Sequence, residues 1–343
     1  MISFDLDGAG PRLRSGAIAL STAGIAVGLA TRRAHARRVA RRRNGSPPAV
    51  RTDDGVRLHV EVADDVAAPT VVLVHGIGVS GAMYEPQWTA LRRRARVVRY
   101  DQRGHGSSGW AGGRGATVAE LGHDLGQVVD QLGGDGPVVV AGHSMGGMAV
   151  LALAAERPEL FGTRITGVAL LSTRAAPLDG AERASTPVTA RARTGLSTAG
   201  AWLLWSAAPL VGSLRPVRTR LGQRVLRWQL FAGDPPEWAV RASSEMWQET
   251  PVGVVSAYVR SLASYDQRPA IGVLRSVPVL VLAGREDRTI PTHSAPRMAE
   301  QIGEQARLVL VDGAGHMVNT THADEVNAAL GELLDRVERN SPG

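Results

Sequence analysis

The sequence predicts an α/β fold in which helices cover both faces of a mostly parallel, doubly wound sheet. Short apolar runs alternate along the chain with longer segments of helical periodicity, and this order implies right-handed crossovers between parallel strands. Apolar runs such as residues 71–74 and 138–140 show no alternation with polar residues, as expected for strands that are buried on both faces. The length of 343 residues suits one large domain of this class with an insertion.

The predicted elements follow one another in the order that such a sheet requires. Strands are predicted at residues 56–62, 70–75, 96–101, 137–141, 165–172, 277–283 and 307–311. Helices are predicted at residues 117–132, 145–156 and 322–338, and Pro158 closes the second of them. Strands that are separated by helices in this way favour parallel pairing.

The segment Gly142-His143-Ser144-Met145-Gly146 lies between a predicted strand and a predicted helix. A G-x-S-x-G pattern at such a junction is typical of a nucleophile elbow, a turn so sharp that its serine adopts a strained backbone conformation. The turn leaves no room for side chains two residues to either side, and glycine has no Cβ to clash there. Ser144 is therefore the predicted nucleophile.

Two later turns supply candidate partners for this serine. Asp287 comes shortly after the strand at residues 277–283, and His316 comes shortly after the strand at residues 307–311. Functional groups of open α/β sheets gather beyond the carboxyl ends of the strands, so these side chains are expected to lie near Ser144. The chain order serine, acid, histidine is the order in which this kind of fold places a catalytic triad.

With two further motifs, the chain resembles the α/β-hydrolase superfamily, and specifically its lipases, esterases and lactonase-like members. The sequence HGIG at residues 75–78 follows a predicted strand and matches the oxyanion loop of that family. The sequence DQRGHGSS at residues 101–108 follows the next parallel strand, as it does in the family. The resemblance covers residues 50–340 and is weakest between residues 175 and 268.

The resemblance implies a role for each site residue. Ser144 would attack the substrate, His316 would act as its base, and Asp287 would orient the imidazole and stabilise its cation. The backbone N–H groups of Ile77 and Met145 would form the oxyanion hole. This chemistry implies neither a cofactor nor a metal ion, and the chain has no cysteine for a thiolate metal site.

The sequence leaves rival assignments open for the base and the acid. His293 follows Asp287 closely and is the alternative base. The other histidines lie in motifs, in predicted elements or in the leader, the predicted N-terminal segment at residues 1–48. Some relatives place the acid after the preceding strand, where Asp179 is the only nearby carboxylate. Glu286, beside Asp287, is interpreted as a solvated loop charge.

The chain is predicted to divide into three parts. The resemblance implies a hydrolase core at residues 49–173 and 269–343 and a helical cap at residues 174–268, and the composition of residues 1–48 predicts a leader before them. Five of the seven tryptophans lie in the predicted cap, and Trp202 and Trp205 are predicted to form an apolar wall for the substrate. The alternative is that the cap tryptophans only build the core of the cap itself.

The predicted function is hydrolysis of a small-molecule ester, thioester or lactone that carries an apolar group, through an acyl-enzyme on Ser144. Amide or peptide hydrolysis of the proline-iminopeptidase type and perhydrolysis of the cofactor-free haloperoxidase type are the enzymatic alternatives. A serine at the elbow argues against epoxide hydrolase or haloalkane dehalogenase chemistry, since both use a carboxylate there. A non-catalytic binding protein is the remaining alternative, but such proteins usually lack a triad member.

The net charge of +7 comes from one short tract, so it does not predict nucleic-acid binding. Residues 31–43 contain seven arginines and no acidic residue, while the charges of all other residues sum to zero.

The tract follows residues 15–31, an uncharged and largely apolar segment. As a helix this segment would span roughly 25 Å, slightly less than a hydrocarbon core of about 30 Å. Residues 15–43 are therefore predicted to associate with a membrane lipid surface, with the C-terminal side in the cytoplasm. The alternatives are a disordered basic leader on a cytoplasmic protein and an exported protein.

Overall fold

An eight-stranded sheet forms the centre of the structure, a computed structural model that describes residues 49–340 except residues 65, 67–68, 113–115 and 177–214. The strands are β1 (Ala49–Arg51), β2 (Arg57–Ala63), β3 (Thr70–Val74), β4 (Arg96–Tyr100), β5 (Val138–His143), β6 (Ile165–Leu171), β7 (Val279–Gly284) and β8 (Ala306–Val311). They lie in the order β1-β2-β4-β3-β5-β6-β7-β8. The first two pairs of neighbours are antiparallel and all later pairs are parallel, which confirms the predicted fold class.

Helices connect most of these strands. Those of the described residues are α1 (Glu85–Leu91), α2 (Val118–Leu132), α3 (Met145–Glu156), α4 (Arg215–Leu230), α5 (Glu237–Glu249), α6 (Val252–Ala263), α7 (Ser294–Ile302), α8 (Val318–Thr321) and α9 (Ala323–Asn340). Short 3-10 helices occupy Gly81–Tyr84, Pro158–Leu160 and Arg268–Ser276. The parallel strands from β3 onward therefore follow the strand–helix alternation that the sequence predicts.

The sheet is covered on both faces, as the unbroken apolar runs predict. Val72 and Val74 of β3 pack in the core on one face, while Val71 and Leu73 pack in the core on the other. Successive side chains of a strand point to opposite faces, so an apolar residue at every position means burial on both.

Helices α2 and α3 pack closely together on one face of the sheet. Thr117 caps α2, because its hydroxyl oxygen accepts a hydrogen bond of 3.0 Å from the backbone N–H of Glu120. A Cβ added at Gly122 of α2 would lie 2.7 Å from the Cβ of Ala152 on α3. The close approach of the two helices, which fixes α3 behind the elbow, therefore requires a glycine at this position.

The carboxyl ends of the parallel strands carry the loops of interest. The segment at residues 75–81, hereafter the oxyanion loop, follows β3, and the elbow follows β5. Asp287 comes three residues after β7 and His316 five residues after β8. Because these strands are parallel neighbours in one sheet, their loops meet at the same edge.

Three helices, α4 to α6, lie between β6 and β7 in the described chain, within the predicted cap. The cap boundaries stay a prediction, and Trp202 and Trp205 lie outside the described residues. Residues 15–43, predicted to associate with a membrane, also lie outside them. None of the helices in the described residues is both long and apolar enough to cross a bilayer.

Candidate active site

Ser144 sits in the strained backbone conformation that the elbow pattern predicts. Its φ and ψ angles are 53° and −119°, in a region that residues with a Cβ rarely adopt. A Cβ on Gly142 would lie 2.6 Å from backbone atoms of Gly146, and one on Gly146 would lie 2.1 Å from the carbonyl oxygen of Val74. Both glycines are thus required by the close passage of the chain around the serine.

Hydrogen bonds from β6 and from the residues after it hold the strained elbow in place. The backbone N–H of Ser144 donates to the carbonyl of Leu171 at 2.9 Å. The hydroxyl of Thr173 donates to the carbonyl of Ser144 at 2.7 Å, and Thr173 is buried. Sequence reasoning did not find Thr173, because nothing in its local pattern indicates a contact 29 residues away.

Asp287 and His316 form a buried pair. The Nδ1–H of His316 donates to Oδ2 of Asp287 at 2.8 Å, and the two residues are only 3% and 7% exposed. Oδ1 of Asp287 accepts hydrogen bonds from the backbone N–H groups of Thr289 at 2.7 Å and Ile290 at 2.9 Å. With Nδ1 protonated by this contact, Nε2 of His316 is the nitrogen that can accept a proton.

The environment of Asp287 keeps its carboxyl ionised. Burial opposes the charge, but the adjacent His316 imidazole and the two backbone donors outweigh it and lower the pKa of Asp287 below its ordinary value. An ionised carboxylate fixes the imidazole tautomer and stabilises an imidazolium.

Ser144 and His316 line one cavity at the carboxyl edge of the sheet, together with Gly76 and Ile77 of the oxyanion loop. Met145 follows Ser144 directly and is the first residue of α3, where backbone N–H groups have no intrahelical acceptor. The structure therefore brings Ser144, His316, Ile77 and Met145 to one place and joins Asp287 to them through His316. Their catalytic roles stay predictions.

The oxyanion loop is fixed by buried side chains from both motifs of the family. Nδ1–H of His75 donates to the carbonyl of Gly76 at 2.7 Å, and its Nε2 accepts from the backbone N–H of Gln102 at 2.8 Å. The Gln102 amide also donates to the His75 carbonyl. Burial lowers the pKa of His75 to about 4, so this ring is neutral and structural at neutral pH.

The segment at residues 101–108 is itself anchored from two sides. Oδ1 of Asp101 accepts from the N–H of Gly81 at 2.9 Å, which ties the segment to the end of the oxyanion loop. The fully buried Arg103 makes a bidentate pair with Asp124 of α2 at 2.5 and 2.6 Å, and reaches Asp54 at 2.8 Å. Such planar, two-pronged pairing fixes position as well as charge.

The rival histidines occupy other places. His293 is exposed immediately before α7, and within the described chain the cavity wall includes His316 and His143 but not His293. His143 donates from Nε2 to the His316 carbonyl at 2.9 Å. Burial and the neighbouring His316 lower the pKa of His143 to about 3, so it supports the loop as a neutral ring. The rival acid, Asp179, lies outside the described residues.

Part of the cavity wall comes from helices between β6 and β7. Leu226, Gln229 and Leu230 of α4 and Trp247 of α5 contribute to them. Sequence reasoning selected Trp202 and Trp205 from the cap and gave no separate role to Trp247. In the described part of the chain, no three histidine or acidic side chains are grouped in a way that could hold a metal ion.

Comparison with known protein families agrees with this architecture. The family of the alpha/beta hydrolase fold matches the chain over residues 69–323, which includes the oxyanion loop, the elbow, Asp287 and His316. The chain belongs to this family and is a hydrolase of the α/β fold.

Individual relatives differ in their activities. The magnesium-chelatase 30 kDa subunit of Rhodobacter capsulatus is 30% identical over 272 residues, covering 79% of this chain and 87% of the relative. Epoxide hydrolase A of Mycobacterium tuberculosis is 28% identical over 323 residues, covering 83% and 96%. The structure of an enol-lactonase from Burkholderia xenovorans is 26% identical with a TM-score of 0.60, covering 84% of this chain and 100% of that one. The similarity therefore extends to the fold and does not identify the bond that is cleaved.

Proposed function

We propose that this member of the α/β-hydrolase family is a serine hydrolase that cleaves a carboxylic ester, thioester or lactone with an apolar group through an acyl-enzyme. The observation that carries the proposal is the buried Asp287–His316 pair, 2.8 Å apart, whose imidazole shares a cavity with Ser144. A serine hydroxyl is a weak nucleophile at neutral pH and needs such a base, and the base needs such an orienting carboxylate.

In the acylation half of the reaction, Oγ of Ser144 attacks the substrate carbonyl carbon as Nε2 of His316 takes its proton. The carbonyl oxygen becomes an oxyanion, which the N–H groups of Ile77 and Met145 would bind. The intermediate collapses, the bond from the carbonyl carbon to the leaving oxygen or sulfur breaks, and the imidazolium returns the proton to the leaving group. Asp287 stabilises the transient charge on His316.

In the deacylation half, a water molecule takes the place of the leaving group. His316 removes a proton from the water as its oxygen attacks the acyl carbon, and the same N–H groups bind the second oxyanion. Collapse breaks the bond to Oγ, and the proton on His316 returns to Ser144. The acid leaves and the resting site is restored, so the cycle needs no metal ion or cofactor.

The cavity lining supports a small substrate with an apolar group. Beside the predicted catalytic residues, the wall is mainly aliphatic or aromatic, with Ile77, Val79, Leu226, Leu230, Trp247 and Met317. A relative is named an enol-lactonase, and a lactone is a cyclic ester, so this relative supports a substrate with an ester-type bond. Another relative is named an epoxide hydrolase. We do not propose that reaction for this chain, because its elbow offers a serine hydroxyl where epoxide hydrolases use a carboxylate nucleophile.

A screen of p-nitrophenyl esters on the purified full-length protein tests the proposal. Wild type should release p-nitrophenol, and Ser144→Ala and His316→Ala should each lower kcat by a factor of at least about a thousand. The double substitution should add little, since the two residues act as a unit. His293→Ala is the matched control and should keep full activity. Loss in His293→Ala with activity retained in His316→Ala would contradict the assignment of the base.

We further propose that residues 15–43 associate with the cytoplasmic face of a membrane, on the sequence argument alone. Seven arginines next to an apolar segment would be attracted to anionic lipid, each by about 1 kcal/mol. Full-length protein should then fractionate with membranes. Full-length protein recovered entirely in the supernatant at low salt would contradict this proposal without affecting the hydrolase assignment.

A further inference from the structure

Trp247, on helix α5, packs directly against the oxyanion loop. A Cβ built on Gly78 would lie 2.1 and 2.2 Å from two carbon atoms of the Trp247 ring, so the indole occupies the space beside that glycine. Gly78 also has a φ of +74°, which disfavours any other residue. The pair thus places an aromatic ring from the inserted helices next to Ile77, whose N–H is the predicted oxyanion donor.

Trp247 also lines the cavity that contains Ser144 and His316. The ring is therefore a wall of the reaction space as well as a contact between α5 and the core. An indole is rigid and large, so it limits the length of any group that points towards it.

Two groups of the substrate could meet this wall, the leaving group and the acyl chain. The leaving group lies beside His316, because His316 must give it a proton. The carbonyl oxygen points between the N–H groups of Ile77 and Met145. The remaining substituent of the carbonyl carbon is the acyl chain, which points away from the leaving group and from His316. Because Trp247 contacts the oxyanion loop at Gly78, we assign its indole to the acyl side of the site.

We propose that Trp247 limits the length of the acyl chain, so that the enzyme prefers esters of short carboxylic acids. The inference rests on the proposed serine esterase function. Neighbouring apolar side chains from α4, Leu226 and Leu230, line the same cavity and would contact a longer chain once the indole is removed. Gly78 has the complementary role, because only a residue without Cβ allows the indole to lie so close to the loop.

The test compares p-nitrophenyl acetate, butyrate, octanoate and decanoate as substrates of the full-length protein. Trp247→Ala should raise the octanoate-to-acetate ratio of kcat/KM by at least about tenfold, since a single methylene in an apolar pocket changes discrimination by about 10–200-fold. The ratio for Trp247→Phe should lie between those of wild type and Trp247→Ala. The matched control is Trp238→Ala on the same helix, where the indole is 52% exposed, and this change should leave the ratio unaltered.

A second series, acetates of alcohols of increasing length, distinguishes the two sides of the site. Trp247→Ala should have the same preference for alcohol length as wild type. If the preference shifts in the alcohol series instead, or if neither series shifts in folded Trp247→Ala and Trp247→Phe, Trp247 does not limit the acyl chain. If wild type hydrolyses no ester in a Ser144-dependent manner, the proposed function itself fails, which is a different outcome.

Discussion

The hydroxyl of Thr173 donates a 2.7 Å hydrogen bond to the carbonyl oxygen of Ser144, the residue whose backbone is strained at the elbow. A strained backbone persists only where its surroundings determine it strongly. The same carbonyl accepts a longer bond of 3.2 Å from the N–H of Met148 in α3. Thr173 therefore holds the elbow from the side of β6 while α3 holds it from the other.

Replacing Thr173 by valine should reduce activity more than substrate binding. The side chain keeps its shape but loses the hydroxyl. The buried carbonyl loses its shorter hydrogen bond and keeps the one from Met148, so we expect a cost of about 0.5–1.5 kcal/mol in the free energy of unfolding. We expect kcat to fall about tenfold with KM nearly unchanged. A tenfold loss corresponds to an increase of about 1.4 kcal/mol in the activation free energy, caused here by a less well positioned Ser144. Ester hydrolysis and urea unfolding measure the two quantities.

Thr173→Ser, which retains the hydroxyl, should recover most of the activity. Thr163→Val is the matched control, since the Thr163 hydroxyl donates to the Glu159 carbonyl at an exposed position that is not part of the cavity wall. Equal kinetic losses in Thr173→Ser and Thr173→Val would show that the hydroxyl does not hold the elbow.

Gln102 is predicted to keep the oxyanion loop in its active position. Gln102→Met removes the side-chain amide that donates to the His75 carbonyl, while the backbone N–H of residue 102 still reaches the His75 ring. We expect kcat to fall by up to about a hundredfold, less than the loss of an oxyanion donor itself, with a smaller change in KM. Gln131→Met, at an exposed glutamine, is the control. A change confined to KM would argue against a role in oxyanion binding.

His123 should make stability depend on pH in the alkaline range. Hydrogen bonds to Glu156 and Asp53, at 2.6 and 2.9 Å, raise the pKa of His123 from 6.5 to about 9. Because the pKa of His123 is higher in the folded than in the unfolded state, the protonated ring stabilises the fold fully at pH values below the unfolded-state pKa. This stabilisation disappears as the pH rises through the folded-state pKa. The free energy of unfolding of wild type should exceed that of His123→Gln at pH 6, and the difference should decline between pH 6.5 and 9.5.

Urea titrations of both proteins across this range measure that difference. Site activity should be unaffected, since His123 lies on α2, away from the cavity lining of the described chain. A constant difference at every pH would show that the ionised imidazole does not contribute.

The sequence predicted the sheet well because its signals are local. Unbroken apolar runs mark strands that are buried on both faces, and the structure places β3 and β4 within one residue of the predicted bounds. The strand β1 (Ala49–Arg51) was missed because three residues carry no periodicity. Helices α1 (Glu85–Leu91) and α7 (Ser294–Ile302) were also missed, since each is short and contains a proline that obscures the pattern.

Some residues of the site could be predicted from the sequence and others could not. Ser144, Asp287 and His316 could be predicted because motifs and strand ends mark them, and the structure brings them together at one edge of the sheet. Thr173 and Trp247 make contacts between segments that are distant in the chain, and a single sequence gives no spacing rule for such contacts. The packing of Trp247 against Gly78 is a property of the folded chain, so nothing in the sequence around Trp247 reveals it.

Trapping the proposed acyl-enzyme shows whether Ser144 is the nucleophile. Full-length protein is mixed with a p-nitrophenyl ester, quenched in acid within the first turnover and analysed by intact and peptide mass spectrometry. The mass should increase by one acyl group, located on the peptide that contains Ser144, and no such adduct should form in Ser144→Ala. Turnover of the ester without an adduct, or an adduct at another residue with Ser144→Ala still active, would contradict this role of Ser144.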